Sequence, residues 1–186
     1  MISRQRVAVF LDVQNLYHSA RALYEARVNF AELLRASVGD RQLVRALAYA
    51  VSGGVPEEKG FFDALRKMGI DIKTKELQTF ASGKQKGNMD MEIAIDAMSM
   101  APKLDAVILG SGDGDFAVLA SYLKSQGCKV EVCAFGRSTS QKLIEAADVF
   151  LDLDSDPQKF LIVPKRRFTS RQPSSRAQAE GKPETS

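Results

Sequence analysis

The chain has 186 residues, which favours a single domain, and 45% of them are hydrophobic, enough to build a substantial core. Its apolar runs have the length of strands and not of membrane spans, and the N-terminal run meets Asp12 too early for a signal peptide, so we expect a cytoplasmic protein with no membrane partner. The net charge of +3 is uneven, because residues 159–186 carry seven Lys or Arg and two Glu, a net +5, which leaves −2 for residues 1–158.

Short apolar runs alternate with amphipathic segments along the whole chain. The pattern predicts strands at 7–13, 43–51, 70–77, 105–110, 129–135 and 149–153, helices at 15–26, 30–38, 56–68, 89–101, 116–127 and 140–148, and a polar loop at 81–88. Such alternation is typical of an α/β sandwich with a mainly parallel sheet.

The two ends of the chain differ in composition. Residues 1–158 form the predicted domain, and residues 159–186 form a predicted basic tail. The tail is rich in Ser, Pro, Arg and Gln and cannot bury a core, so we expect it to be disordered. Its arginines either add salt-sensitive affinity for nucleic acid or only keep the chain in solution; they are Arg166, Arg167, Arg171 and Arg176.

Three aspartates follow two of the predicted strands. Asp12 ends the first strand, and Asp113 and Asp115 come just after strand 105–110. Parallel α/β sheets hold their sites at the carboxyl ends of the strands, so these acids reach one edge if both strands are central. A second interpretation of Asp12 is that it caps helix 15–26, a role that Asn15 could also fill.

The stretch LGSGDGDFAVL at 109–119 has two interpretations. Gly112, Gly114 and Ala117 fit the degenerate dinucleotide pattern G-x-G-x-x-A, whereas Asp113 and Asp115 fit a cation site. Like charges about 4 Å apart cost roughly 4 kcal/mol at an effective dielectric constant of 20, so two carboxylates in the loop would repel a phosphate that lacks a bridging cation. We therefore expect a cation site, with the glycines providing a tight turn and the positive φ angles that such turns need.

Helix 89–101 carries a further acid on its apolar side. On a helical wheel Asp90 lies within the broad apolar arc, whereas Glu92, Asp96 and Ser99 form a narrow polar stripe. A carboxylate that faces the core needs a partner, and a metal ion would supply one. Asp96 borders the stripe, where it either faces solvent or supports the acidic site.

These acids together would form an all-oxygen site. Hard ligands of this kind suit Mg²⁺ or Mn²⁺ and not zinc. Acidic clusters that hold one or two such ions commonly hydrolyse phosphodiester bonds. The only histidine, His18, is expected in an ordinary surface or packing role.

Three motifs resemble one known family. The segments VFLDVQNL, KGNMDMEIAIDAM and LGSGDGDFAVLASYLKSQGCKVEV, in this order, are similar to the NYN domain in its LabA-like branch, within the PIN-like nuclease superfamily. The resemblance covers roughly residues 5–153. It implies a Rossmann-like three-layer α/β/α sandwich, a divalent-metal site and activity on RNA. Val13 stands where the family usually has glycine, which implies a slightly different turn.

The resemblance assigns roles residue by residue. It implies that Mg²⁺ or Mn²⁺ is held, directly or through water, by Asp12, Asp90, Asp113 and Asp115. Other matching positions would contact substrate or support these acids. Asn15 would orient Asp12 or a substrate phosphate, and Ser111 would support the loop or donate to a phosphate. Lys86 would contact the scissile or a neighbouring phosphate, and Asp96 would support the acids without binding the metal ion. Lys86 is otherwise an ordinary solvated loop lysine.

Two classes of function follow. The first is a metal-dependent ribonuclease that hydrolyses single-stranded or structured RNA. The second is a non-catalytic regulatory module that binds RNA or a protein partner. The predicted domain is mildly acidic and has no dense positive track for RNA; its best cationic patch is Lys73, Lys75, Lys84 and Lys86. A phosphatase of small phosphoesters is a weaker third class, and a homodimer is left open.

Overall fold

A computed structural model describes residues 5–76, 78–79, 85–86 and 88–163. In chain order its helices and strands are β1 (Arg6–Asp12), α1 (Val13–Tyr24), β2 (Arg27–Val28), α2 (Phe30–Val38), β3 (Gln42–Ser52), α3 (Pro56–Lys67), β4 (Asp71–Glu76), β5 (Gln78–Thr79), β6 (Gln85–Lys86), α4 (Asp90–Met100), β7 (Ala106–Gly110), α5 (Phe116–Ser125), β8 (Lys129–Ala134), α6 (Gln141–Ala146), β9 (Val149–Asp152), α7 (Pro157–Phe160) and β10 (Leu161–Ile162). Every strand and helix expected from the pattern is present, with ends that differ by one or two residues.

Six parallel strands form the central sheet, in the order β4-β3-β1-β7-β8-β9. The chain builds one half of this order outward from β1 through β3 and β4, and the other half through β7, β8 and β9. The direction of winding therefore reverses between β1 and β7, where Leu11 pairs with Gly110. In open α/β sheets such a reversal leaves a crevice at the carboxyl ends of the strands.

Both faces of the sheet are covered by helices. Val7, Val9 and Leu11 pack in one apolar layer with residues of α1, α2 and α3, represented by Leu16, Leu33 and Leu65. Ala8 and Phe10 pack in the opposite layer with residues of α4, α5 and α6, represented by Ile93, Leu119 and Leu143. Successive side chains of a strand point to opposite faces, so a central strand is apolar throughout. The predicted three-layer α/β/α sandwich with a mainly parallel sheet is confirmed.

Short elements add to the predicted set. β2 and β10 form an antiparallel ribbon, and Phe160, only 2% exposed, packs into the first apolar layer. The folded part thus continues to residue 162, past the predicted end of the domain at 158, whereas 164–186 lie outside the described residues. Most of the predicted loop 81–88 also lies outside them, but β6 within it pairs with β5. No described helix is long and apolar enough to cross a membrane.

A glycine inside α3 gives a first prediction. A Cβ atom added at Gly60 would meet nothing within 4 Å, and the residue has no positive φ angle. Glycine within a helix costs about 0.5–1 kcal/mol relative to alanine, so Gly60→Ala should raise the free energy of unfolding by that amount in urea titrations. Gly39→Ala is the control that should lower it, because Gly39 also has open space but a φ of +58°. A loss of stability in Gly60→Ala would contradict the prediction.

Candidate functional site

The predicted acids lie around the crevice between β1 and β7. Asp12 is the last residue of β1, and the loop 111–115 joins β7 to α5. Asp90 is the first residue of α4, which packs with α5 in the same apolar layer. The strand order therefore brings residues from three distant segments to one edge of the sheet.

Asp12 makes two different contacts at this edge. Its Oδ1 accepts a hydrogen bond from the backbone N–H of Asn15 at 3.1 Å, which caps α1. Its Oδ2 accepts one from the hydroxyl of Ser111 at 3.1 Å. The capping interpretation of Asp12 is thus confirmed, and the same carboxylate also reaches the loop after β7.

Loop 111–115 is held by a chain of hydrogen bonds. The backbone N–H of Gly112 donates to Oδ1 of Asn15 at 2.8 Å. The N–H of Asp113 donates to the Ser111 hydroxyl at 3.2 Å, and the N–H of Asp115 donates to Oδ1 of Asp113 at 3.0 Å. Asn15 and Ser111 therefore fix the loop that presents both aspartates.

The two loop glycines have a different purpose from the one expected. Gly112 and Gly114 are not among the glycines with positive φ, so the prediction of left-handed backbone here was wrong. A Cβ at Gly114 would lie 2.6 Å from Oγ and 2.9 Å from Cβ of Ser140, and the carbonyl of Gly112 accepts a hydrogen bond from the Ser140 N–H at 2.9 Å. The glycines let the loop approach the segment before α6 closely.

The four acids share an uncompensated negative field. Burial raises the pKa of Asp90, and the carboxylates of Asp12, Asp113, Asp115 and Glu92 raise it further. Burial also raises the pKa of Asp12, against the opposing hydrogen bonds from Asn15 and Ser111. Within the described part of the chain, none of Asp12, Asp90, Asp113 and Asp115 is in an ion pair.

Some of the carboxylate oxygens of the four acids accept hydrogen bonds within the protein. Asp90 accepts one from the side-chain amide of Asn88 at 2.7 Å, in addition to the contacts made by Asp12 and Asp113. Among the described residues, no three His, Cys, Asp or Glu side chains converge closely enough to hold a metal ion as they stand. The donor set is nevertheless all oxygen and lacks a cation, which is the chemistry that Mg²⁺ and Mn²⁺ prefer.

The polar stripe of α4 faces β4. Asp96 accepts a hydrogen bond from the hydroxyl of Tyr49 at 2.6 Å and pairs with Lys73 at 2.6 Å, and Glu92 pairs with Lys75 at 2.9 Å. Burial opposes the ionisation of Asp96, but the bonds from Lys73 and Tyr49 outweigh it and lower its pKa. Asp96 is therefore only partly exposed and makes no described hydrogen bond to the four acids; it joins α4 to the sheet.

The predicted cationic patch is not available as a free positive surface. The charges of Lys73 and Lys75 are neutralised by the two acids of α4. Lys84 lies outside the described residues, and Lys86 belongs to β6. Of the candidate patch, the two lysines of β4 are therefore engaged in ion pairs, in agreement with a domain that has no dense positive track.

Several residues of the site were not predicted from the sequence. Tyr49 is 1% exposed at the strand paired with the end of β1, Asn88 bonds Asp90, and Ser140 supports the loop. Ser140 belongs to the run RSTS that follows β8, so the rule that sites gather at carboxyl ends of strands could have indicated it.

A groove of about 540 Å³ opens beside Asp90 and Asp115, between α4 and α5. Its apolar walls are formed by Met91, Met98, Val118 and Tyr122.

The raised pKa of Asp90 predicts that its ionised carboxylate lowers the stability of the folded protein. In a chelating buffer at pH 7, Asp90→Asn should raise the melting temperature, because the ionised carboxylate is disfavoured in the folded state. The wild-type chain loses stability as the pH rises through the raised pKa, so the difference should vanish below about pH 3.9, where Asp90 is protonated in both states. Thermal unfolding at several pH values measures this.

Asp105→Asn is the opposite control for that measurement. Its carboxylate pairs with Arg6 at 3.0 Å, and hydrogen bonds from Arg6 lower its pKa. Removing that charge should lower the melting temperature slightly at pH 7, because the pair is exposed. A decrease in Asp90→Asn equal to that in Asp105→Asn would contradict the prediction.

Comparison with known proteins identifies relatives over nearly the whole folded part. The family model described as the NYN domain matches residues 6–154. The chain is 28% identical over 160 residues to the Low amplitude and bright protein LabA of Synechococcus elongatus, covering 80% of this chain and 84% of that protein. A crystal structure of a protein of unknown function from Vibrio parahaemolyticus superposes with a TM-score of 0.80 at 33% identity, covering 87% of this chain and 99% of the other.

Proposed function

Because the chain belongs to the NYN domain family, we propose that it is a metal-dependent ribonuclease that hydrolyses RNA phosphodiester bonds at the edge between β1 and β7. One observation carries the proposal. Burial and the carboxylates of Asp12, Asp113 and Asp115 raise the pKa of Asp90, while no described cation pairs with any of the four. A charge cluster of this kind costs stability unless a cation is bound, so its presence favours a role in binding one.

The residues fit a hard divalent ion by their chemistry. Asp12, Asp90, Asp113 and Asp115 would hold Mg²⁺ or Mn²⁺, since all their donors are carboxylate oxygens. A divalent ion supplies an activated water molecule and stabilises charge on the leaving oxygen of a phosphodiester. Within the protein, the hydrogen bond from Ser111 orients Asp12, and the hydrogen bond that Asn15 Oδ1 accepts from the Gly112 N–H sets the position of Asp113 and Asp115.

The two remaining predicted positions have different proposed roles, one in contact with RNA and one within the protein. Lys86 stands near the start of the second motif, and we propose that it contacts a phosphate of the RNA as a point charge. Asp96 would act only by holding α4 against Tyr49 and Lys73, which keeps Asp90 in place. RNA is the proposed partner, and the protein is proposed to act in the cytoplasm.

A second candidate is a regulatory module that binds RNA or a protein without cleaving it. The hydrogen bonds already made by the acids favour this candidate, as does the absence of a convergent metal-ligand set among the described residues. The neutralised lysines of β4 also leave the phosphate backbone fewer cations to bind. The two candidates differ in one respect, which is whether bound RNA is cut.

The test combines cleavage with metal binding. Labelled single-stranded and structured RNAs are incubated with the protein in Mg²⁺, Mn²⁺ or EDTA, beside a small aryl phosphate as a phosphatase substrate. We expect RNA cleavage with either metal and none in EDTA. Thermal unfolding without RNA should show a higher melting temperature with either metal, since a ligand that binds the folded state stabilises it. Binding of RNA without cleavage under all conditions would favour the regulatory module, and hydrolysis of the aryl phosphate alone would favour the phosphatase.

A further inference from the structure

A second cavity lies on the other side of Asp12, between α1 and α3. Its volume is about 490 Å³, and its walls include Gln14, Tyr17, His18, Arg27, Phe61 and Phe62. Neither the predicted acids nor the family motifs, apart from Gln14, contribute to it. The cavity also contains the only histidine of the chain.

Its position is adjacent to the acidic edge. Gln14 follows Asp12 by two residues, in the first turn of α1, and Tyr17 lies one turn further along the same helix. Ala50 and Val51 of β3 contribute to the cavity, and β3 pairs with β1 so that Tyr49 is opposite Asp12. A chain that crosses the acids would therefore reach this cavity at the neighbouring strand.

The walls of the cavity offer faces for stacking. Tyr17 is 45% exposed and meets the ring of His18 edge to face, with ring centroids 5.5 Å apart. Phe61 and Phe62 are half-buried, with centroids 5.7 Å apart, and anchor the opposite wall. Unpaired bases bind to proteins by stacking on such exposed aromatic side chains.

The polar groups of the cavity also suit a nucleotide. Arg27 is exposed and, within the described residues, forms no ion pair, so its guanidinium is available to a phosphate or a base plane. Gln14 offers an amide that can both donate and accept hydrogen bonds. Glu58, the acid of this cavity, is already engaged with the Ser52 hydroxyl and the Gly53 N–H.

The groove between α4 and α5 is less suitable for binding a nucleotide. Its lining contains Asp90 and Asp115 but no Lys, Arg or His, and its walls are mainly aliphatic.

We propose, on the basis of the proposed ribonuclease function, that the cavity between α1 and α3 binds the base of an unpaired RNA nucleotide next to the bond that is cut. Tyr17 stacks on this base and Arg27 contacts its phosphate.

Binding to RNA is measured first, in EDTA, so that cleavage does not enter the result. Fluorescence anisotropy of a short labelled single-stranded RNA gives its affinity for the full chain and its variants. Tyr17→Ala and Arg27→Gln should each weaken binding by about 10-fold, the usual loss for one stacked base or one charged contact. Tyr122→Ala is the matched control, since Tyr122 is 43% exposed in the other groove and should leave the affinity unchanged.

The single histidine provides a direct reporter of occupancy. Adding a nucleoside monophosphate to the metal-free protein should shift the ring signals of His18 in the NMR spectrum, whereas inorganic phosphate should not. The shift should be lost in Tyr17→Ala. Because Tyr17 is 45% exposed, this variant should keep its fold, and the dispersion of the amide signals in the same spectrum checks that it does.

The outcomes separate this inference from the proposed function. Equal RNA affinity in Tyr17→Ala, Arg27→Gln and Tyr122→Ala, or no RNA binding by the wild-type chain, would overturn the inference. Cleavage whose KM is unchanged in Tyr17→Ala would overturn it while leaving the ribonuclease intact. Base binding at His18 without cleavage in any metal would support a base site in this cavity and overturn the ribonuclease.

Discussion

Replacing both Asp113 and Asp115 by asparagine should lower the rate of RNA cleavage in saturating Mg²⁺ or Mn²⁺ by about 1,000-fold, or roughly 4 kcal/mol of activation free energy. The reason is electrostatic, since the change removes two of the four proposed ligand charges. The fold should survive, because an asparagine oxygen at 113 can still accept the hydrogen bond that Asp113 now accepts from the Asp115 N–H. Initial rates on labelled RNA measure the loss, and circular dichroism checks the fold.

Asp71→Asn is the matched control for that change. Asp71 is an exposed acid at the start of β4, the opposite end of the sheet from the acids, where it pairs with Arg45 at 2.8 Å. Its loss should leave cleavage unchanged, since exposed ion pairs contribute little to stability. Cleavage that persists in the double Asp113 and Asp115 variant would show that a contaminant or another site cuts the RNA.

The place of the site could be predicted because its determinants are local in sequence. The apolar runs at β1 and β7 have no alternation, which indicates strands buried on both faces at the centre of the sheet. Acids directly after two such strands must meet at one edge if the strands are parallel neighbours. Asp12 and the loop 111–115 meet in this way, bridged by Ser111.

The partners of the acids on α4 could not be predicted in the same manner. A helical wheel shows that Glu92 and Asp96 share a stripe, but not which element that stripe faces. The register of β4 against β3 determines which residues face this stripe, since it places Lys73 and Lys75 opposite Glu92 and Asp96. The same limit explains the unpredicted ribbon of β2 and β10, where two residues after α1 pair with two near residue 161 without any sequence pattern of their own.

The loop glycines were misinterpreted for a related reason. A glycine in a turn can supply either a positive φ angle or space for another segment, and local sequence does not separate these. Gly112 and Gly114 supply space, because the segment before α6 passes against them.

Gly114→Ala should lower the free energy of unfolding by about 1–3 kcal/mol, the usual cost of inserting a methyl group into a closely packed contact. The new Cβ would lie 2.9 Å from the Cβ of Ser140, which no side-chain rotation can relieve. The loop must then move, and a shift on the order of 1 Å in the positions of Asp113 and Asp115 should lower cleavage by about 10–100-fold. Urea titration and initial rates measure the two losses.

A second substitution distinguishes steric crowding from any other effect at Gly114. Ser140→Gly removes both atoms that clash, and it should cost only a few tenths of a kcal/mol alone, because Ser140 precedes α6 without a capping bond from its side chain. In Gly114→Ala/Ser140→Gly, stability and cleavage should therefore return close to the values of Ser140→Gly. The two substitutions are then strongly non-additive, as expected for groups in direct contact. Additive losses would mean that Gly114 is needed for its backbone conformation, and that the approach of α6 does not set the position of the two aspartates.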